Sequence, residues 1–234
     1  RLQEAFFRCK AAFEHAVHLP EAAPIDTFHL ISKLRNNLMV LAGERLAFEE
    51  LLKEAEAFQD WIQQPHFRRA RQMLGRSVEF SLLHHRLYAL LYLGRKEVLK
   101  QQLTKTETTI RQFPQQAYYL HILRLQVVQA KLFMGLLQEA KQRIVKLQNL
   151  PDLRRDIHNN LLTYRIMTEF DLANYDLADH LVEQSRYQLR KSYYANAFDH
   201  EFISQLFALF RQPKRSEQLD IFHTMQAQIL ESFD

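Results

Sequence analysis

The stretch Leu132-Phe133-Met134-Gly135-Leu136-Leu137-Gln138-Glu139-Ala140 sets a single glycine between two apolar runs. Before it stand Tyr118, Tyr119, Ile122, Leu125, Val128 and Phe133; after it come Leu137, Ala140, Ile144, Val145 and Leu147, until Leu150-Pro151 closes the pair. Apolar side chains that return every three or four residues define one face of a helix. Glycine punctuates a turn, and proline cannot donate to a continuing helix ladder. The segment therefore reads as a helical hairpin.

The same punctuation recurs along the chain. Gly94 precedes Gly135 by 41 positions, and Phe113-Pro114 precedes Leu150-Pro151 by 37. Upstream of Gly94 a run over about 66–92 carries Phe67, Ala70, Met73, Leu74, Val78, Phe80, Leu83, Leu87, Leu90 and Leu91, and Val98, Leu99, Leu103 and Ile110 follow it. In a third pair, Leu153, Ile157, Leu161, Ile166 and Phe170 lead through Ala173-Asn174-Tyr175 to Leu177, Leu181, Val182 and Leu189. A fourth places Ala197, Phe198, Phe202, Leu206 and Phe210 before Gln212-Pro213, then Leu219, Phe222, Met225 and Ile229. A period near 40 residues is the signature of stacked helix pairs, in which each hairpin covers the apolar face left open by its neighbour.

Residues 1–65 read differently, as an N-terminal cap of about three helices. The first spans about 2–18 and stops at Leu19-Pro20; the second follows Pro24, with Asp26 or Thr27 as its N-cap, and ends before Gly43; the third covers about 44–63 and ends at Gln64-Pro65. The expected architecture is all-α: this cap, then four hairpins over 66–234, forming one right-handed superhelical solenoid of antiparallel helix pairs. With only 4 Gly and 6 Pro in 234 residues, little turn-forming material is left for any other element. No run alternates apolar and polar residues over a strand's length, so no sheet is expected.

The hairpins also resemble tetratricopeptide repeats. Leu132 to Ala140 followed by Leu147-Gln148-Asn149-Leu150-Pro151 is similar to that family's small residue at the end of the first helix, alanine early in the second, and closing proline. Asn174-Tyr175-Asp176-Leu177-Ala178 repeats the inter-helix part, and Leu93-Gly94-Arg95-Lys96-Glu97-Val98 with Phe113-Pro114 is a further copy, so that the likeness covers roughly 75–191 and extends toward 195–232. The resemblance implies a groove lined mainly by first helices that binds peptides or protein segments without catalysis.

Charge singles out one region. Residues 66–111 hold 10 Lys+Arg against 3 Asp+Glu, whereas 1–65 hold 7 against 10 and 112–234 hold 14 against 14. Arg68, Arg69, Arg71 and Arg76 lie within three turns of one helix, a field suited to an acidic protein segment or to phosphates. A solvated exterior whose arginines pair with Glu49, Glu50, Glu54 and Glu56 explains the same residues. Polar side chains inside otherwise apolar first helices are the groove candidates: His121 and Arg124, Asn159, Asn160 and Tyr164, and Asn196 and His200. Their alternative is a water-facing surface.

Other chemistries lack their motifs. Glycine stands only at 43, 75, 94 and 135, so neither a phosphate-cradling loop nor a G-x-S-x-G elbow exists, and no enzyme is expected. Eleven histidines include His15 with His18 and the adjacent His84-His85, but no HExxH or Cys-x-x-Cys accompanies them, so no metal or cofactor is expected. No apolar run reaches the ~20 residues of a bilayer span. The lone Cys9 favours a reducing compartment and a cytoplasmic location. A first residue of Arg rather than Met leaves room for a processed or longer N-terminus. The expected role is a non-enzymatic scaffold for a protein or peptide segment. Its alternatives are nucleic-acid association through 66–111, or a ligand-sensing regulatory domain of a longer chain.

Overall fold

A computed structural model describes residues 1–16, 24–112, 117–151, 153–190, 204–206 and 208. Every element among them is helical: α1 (Leu2–Ala16), α2 (Pro24–Glu44), α3 (Phe48–Ile62), α4 (Arg68–Tyr92), α5 (Lys96–Gln112), α6 (Ala117–Phe133), α7 (Leu137–Gln148), α8 (Arg155–Asp171) and α9 (Tyr175–Arg190), with one 3-10 turn at Pro65–Phe67. The stops expected at Leu19-Pro20 and Phe113-Pro114 and the whole fourth hairpin, apart from a few positions around Leu206, lie outside the described residues. No helix among the described residues is long and apolar enough to cross a membrane.

Four of the turns share one backbone. The helix-ending residue with positive φ is Leu46 (56°), Gly94 (67°), Gly135 (74°) and Ala173 (59°) in turn. At Gly94, its N–H donates to the Leu91 carbonyl and the Arg95 N–H to Leu90, both at 3.2 Å. Leu46 and Ala47 donate to Gly43 and Ala42, and Ala173 and Asn174 to Phe170 and Glu169, in the same pattern. This paired closure satisfies carbonyls that the last helical turn would otherwise leave open. The residue after the left-handed one then starts the next helix, its own carbonyl accepting from Leu51, Leu99, Ala140 or Ala178.

Counted from that residue, the core repeats with the turn. Five positions on lie Leu51, Leu99, Ala140 and Ala178; nine on, Ala55, Leu103, Ile144 and Val182; seven back, Met39, Leu87, Val128 and Ile166, and all are buried. The first turn corrects the sequence reading, which put the break at Gly43. Gly43 is still helical, and a Cβ there would come 3.7 Å from a Tyr88 ring carbon and 3.9 Å from Leu51. That glycine lets two helices approach closely, while the left-handed position falls three residues later on Leu46.

The chain forms two compact units, Arg1–Met134 and Gly135–Asp234. In the first, α1 packs on α2, and each of α3 and α5 packs between the helices before and after it, while α2 meets α4 and α4 meets α6. In the second, α8 packs on both α7 and α9. Sequential pairwise packing of this kind is consistent with a helical-repeat fold. Asn36 bonds Ser81 and Gly43 faces Tyr88, so α2 and α4 run parallel, as first helices of successive hairpins must.

Aromatic and charged groups fix the first unit. Phe28 stacks on Trp61 at 5.5 Å, and Phe67 closes on Trp61 at 4.3 Å, beside Phe58. Arg35 lies 3.9 Å over the Phe13 ring and Arg45 4.7 Å over Phe6, fastening α1 to α2. Threonine is a poor helix former, yet α5 contains four. Thr104, Thr106, Thr108 and Thr109 each donate their hydroxyl to the carbonyl four residues back, at 2.9–3.1 Å, which also satisfies the buried Thr106 and Thr109.

Candidate partner-binding site

One face of the first unit is lined by α2, α4 and α6. Its positions recur at steps of three and four: Ser32, Asn36, Val40 and Gly43 on α2; Ser77, Ser81, His84 and Tyr88 on α4; Ile122, Gln126 and Gln129 on α6. Two depressions open there, one of about 290 Å³ between α2 and α4 and one of about 310 Å³ shared by all three helices. Both fall at or near the lower end of ligand-site volumes, which begin at about 300 Å³.

The lining is mostly apolar and includes several polar side chains that are incompletely paired. Ser81 donates its hydroxyl to Asn36 Oδ1. Ser32 Oγ, His84 Nδ1 and Gln126 Oε1 are buried; Ser32 Oγ has no hydrogen-bond partner, and the His84 and Gln126 side chains interact with each other without a well-formed hydrogen bond. Buried polar groups in proteins are normally bonded, and each orphan costs about 1–3 kcal/mol until something satisfies it. The three residues line one face of the unit.

Two histidines form the floor. The His84 and His85 rings are 4.8 Å apart, and His84 stacks along Tyr88. Burial pushes the His85 imidazole down to about 3, helped by the neighbouring His84, and burial lowers His84 as well, with the Gln126 side chain opposing the shift. Both rings are therefore neutral near pH 7 and present one donor and one acceptor each. From Tyr88 the rings continue outward: Tyr88 meets Tyr92 at 4.8 Å, and Tyr92 stacks on Phe48 at 4.6 Å beside the Leu46 turn.

The residues singled out from the sequence are dispersed. Arg68 and Arg69 are exposed in the first turn of α4, and Arg71 belongs to the same helix. Arg76 is exposed and lines a cavity among α3, α4 and α5, on the side of α4 away from the histidines. His121 is buried in α6 and Arg124 half-buried, and the residues of α6 that line the depression are Ile122, Leu125, Gln126 and Gln129. In α8, Asn159 and Tyr164 are half-buried and Asn160 is exposed. Asn196 and His200 lie outside the described residues.

Three acidic residues of α3 form ion pairs, one of them with the basic 66–111 segment. Glu49 pairs with Arg95 at 2.5 Å, Glu50 with Arg45 at 3.2 Å, and Glu54 with Arg35. Ser32, Asn36, Ser81, Gln126 and Gln129 did not stand out in the sequence, because single polar residues scattered through amphipathic helices are ordinary. The signal was the shared offset of 45 that joins Asn36 to Ser81 and Gly43 to Tyr88.

No group of three or more His, Cys, Asp or Glu side chains able to hold a metal ion occurs among the described residues. Comparison with models of known protein families, with curated proteins and with solved structures gives no match in any of the three.

Proposed function

We propose that the protein is a non-enzymatic scaffold with tetratricopeptide-like hairpins in a right-handed solenoid, and that it docks a peptide or protein segment along the face of α2, α4 and α6. The observation that carries this reading is the line of buried, incompletely bonded polar groups on that one face: Ser32 Oγ, which has no partner, and the neutral His84 with Gln126, whose mutual contact is not a well-formed hydrogen bond. An extended segment offers an N–H and a C=O at every residue and so can complete them, with Val40 and Ile122 receiving an apolar side chain. The exposed Arg68 and Arg69 would draw an acidic segment toward the same unit.

The test is selection from a library of random peptides on immobilised protein, with Val40→Arg as the blocked counterpart. Val40 is 42% exposed, so the arginine intrudes on the depression without entering the core. Peptides enriched on the native chain and lost on Val40→Arg support docking; equal recovery on both sinks it.

The second reading, nucleic-acid association through the basic 66–111 segment, rests on the exposure of Arg68, Arg69, Arg76, Lys96 and Lys100. It requires affinity for oligonucleotides that falls steeply with salt, with a slope set by the number of phosphates neutralised.

A further inference from the structure

The far side of α4 carries a different site. A cavity of about 380 Å³ lies among α3, α4 and α5, and among the described residues the charged ones lining it are Arg76, Arg86, Lys105 and Glu79. Three cations thus face one carboxylate. Arg86 donates through a terminal nitrogen to Gln59 Oε1, which fixes the guanidinium, while its Nε–H remains buried without a partner. Across the cavity on α5, Gln102 is only 6% exposed, and its Nε2 likewise has no acceptor.

Both orphans are donors, and this decides the sign of what they fit. Gln102 stays neutral and Arg86 cannot lose its proton, so neither group can adjust by titration. Because both residues line the cavity, a ligand with oxygen acceptors has two N–H groups to satisfy there, and a negative charge on it would also offset the excess of cations. Leu82 and Leu83 form an apolar wall beside these donors, and the volume is that of a small-molecule site rather than of a single ion.

We infer that this cavity binds a small organic oxyanion, a phosphate monoester or a carboxylate, through Arg86 Nε and Gln102 Nε2, with Arg76 and Lys105 adding charge at the rim. The site is separate from the α2–α4–α6 face and stands whether or not that face docks a peptide.

Calorimetric titration of the full chain with glycerol phosphate and, separately, with citrate tests it, with sodium chloride at matched ionic strength as the control. Saturable heat from either oxyanion and none from chloride is the expected result, and the tighter of the two names the group recognised. Gln102→Leu keeps the side chain's approximate size and removes the orphan donor. It should weaken binding by about tenfold or more while leaving the unliganded melting temperature unchanged or raised. Arg86→Gln should weaken it comparably, and Lys53→Gln, on an exposed residue outside the cavity, should leave affinity within twofold. Absence of saturable heat with both oxyanions, or binding undiminished in Gln102→Leu, would overturn the inference.

Discussion

The four turns make a quantitative test possible, because glycine fills two of them and larger residues the other two. Gly94 holds φ at +67°, and a Cβ added there would meet nothing within 4 Å. Gly94→Ala therefore changes the backbone energy and almost nothing else. A left-handed conformation costs an L-residue about 1–2 kcal/mol. Removing glycine's freedom from the unfolded chain returns about 0.4–1 kcal/mol. The net destabilisation is about 1 kcal/mol, a fall of about 2–4 °C in melting temperature for a chain of this size. Ala173→Gly runs the exchange in reverse, at φ +59°, and should raise stability by a similar amount. Gly94→Asn should fall between native and alanine, because asparagine tolerates the left-handed region. Urea unfolding followed by circular dichroism reads all three variants. A Gly94→Ala protein as stable as the native chain, or an Ala173→Gly protein less stable, would refute the assignment of these positions as one repeated turn.

Further outcomes follow from the buried polar groups. His85 is neutral in the fold because burial holds it near 3, while in the unfolded chain it titrates near 6.5, so the unfolded state binds more protons between those values. Stability is then complete above about pH 6.5 and lost as pH falls, by about 2 kcal/mol from His85 alone between pH 7 and pH 5. His85→Gln should flatten that slope in denaturant unfolding across the range, and an unchanged slope would place the acid sensitivity elsewhere. Glu169 is fully buried and accepts from Lys141 Nζ at 2.8 Å and Asn174 Nδ2 at 2.7 Å. Lys141→Met should cost about 3 kcal/mol by stranding that carboxylate, and adding Glu169→Gln should recover much of it; additive losses in the double-mutant cycle would show the pair is not coupled. Arg68→Glu with Arg69→Glu should leave the unfolding midpoint unchanged, since both are exposed, and reduce capture of an acidic peptide severalfold. Undiminished capture would remove the basic segment from the docking reading.

Much of the fold was legible because its signals are local. The hairpin turns at Gly94, Gly135 and Ala173 could be read from composition and apolar spacing, since glycine or a short polar cluster interrupts each helical period there. The turn at Leu46 could not, because nothing in a leucine announces positive φ. Tertiary support holds it instead, with Arg45 paired to Glu50 and Phe48 stacked on Tyr92 on either side. At Ala173 the counterpart is the buried Glu169, pinned by Asn174 from beyond the turn. A strained backbone persists where the surroundings over-determine it, and those surroundings come from residues up to about 45 positions away.

The site was less legible than the fold. His121, Arg124, Asn159, Asn160 and Tyr164 were chosen as polar residues in first helices, a criterion that ignores which side of the helix faces a neighbour. The two depressions instead collect Asn36, Ser81, His84 and Gln126, which meet only because α2, α4 and α6 are aligned in register. Likewise, Arg86 and Gln102 were unremarkable until α4 and α5 placed two orphan donors in one cavity.

By itself the sequence determined the helices, most of their ends and the pairing of α4 with α5 and of α8 with α9, because helical periodicity and the backbone demands of glycine and proline act within a few residues. Tertiary structure alone decided which polar atoms are buried without partners, which face three helices share, and where leucine and alanine accept a left-handed backbone. Those properties depend on the register between helices distant in sequence, and that register is set by packing.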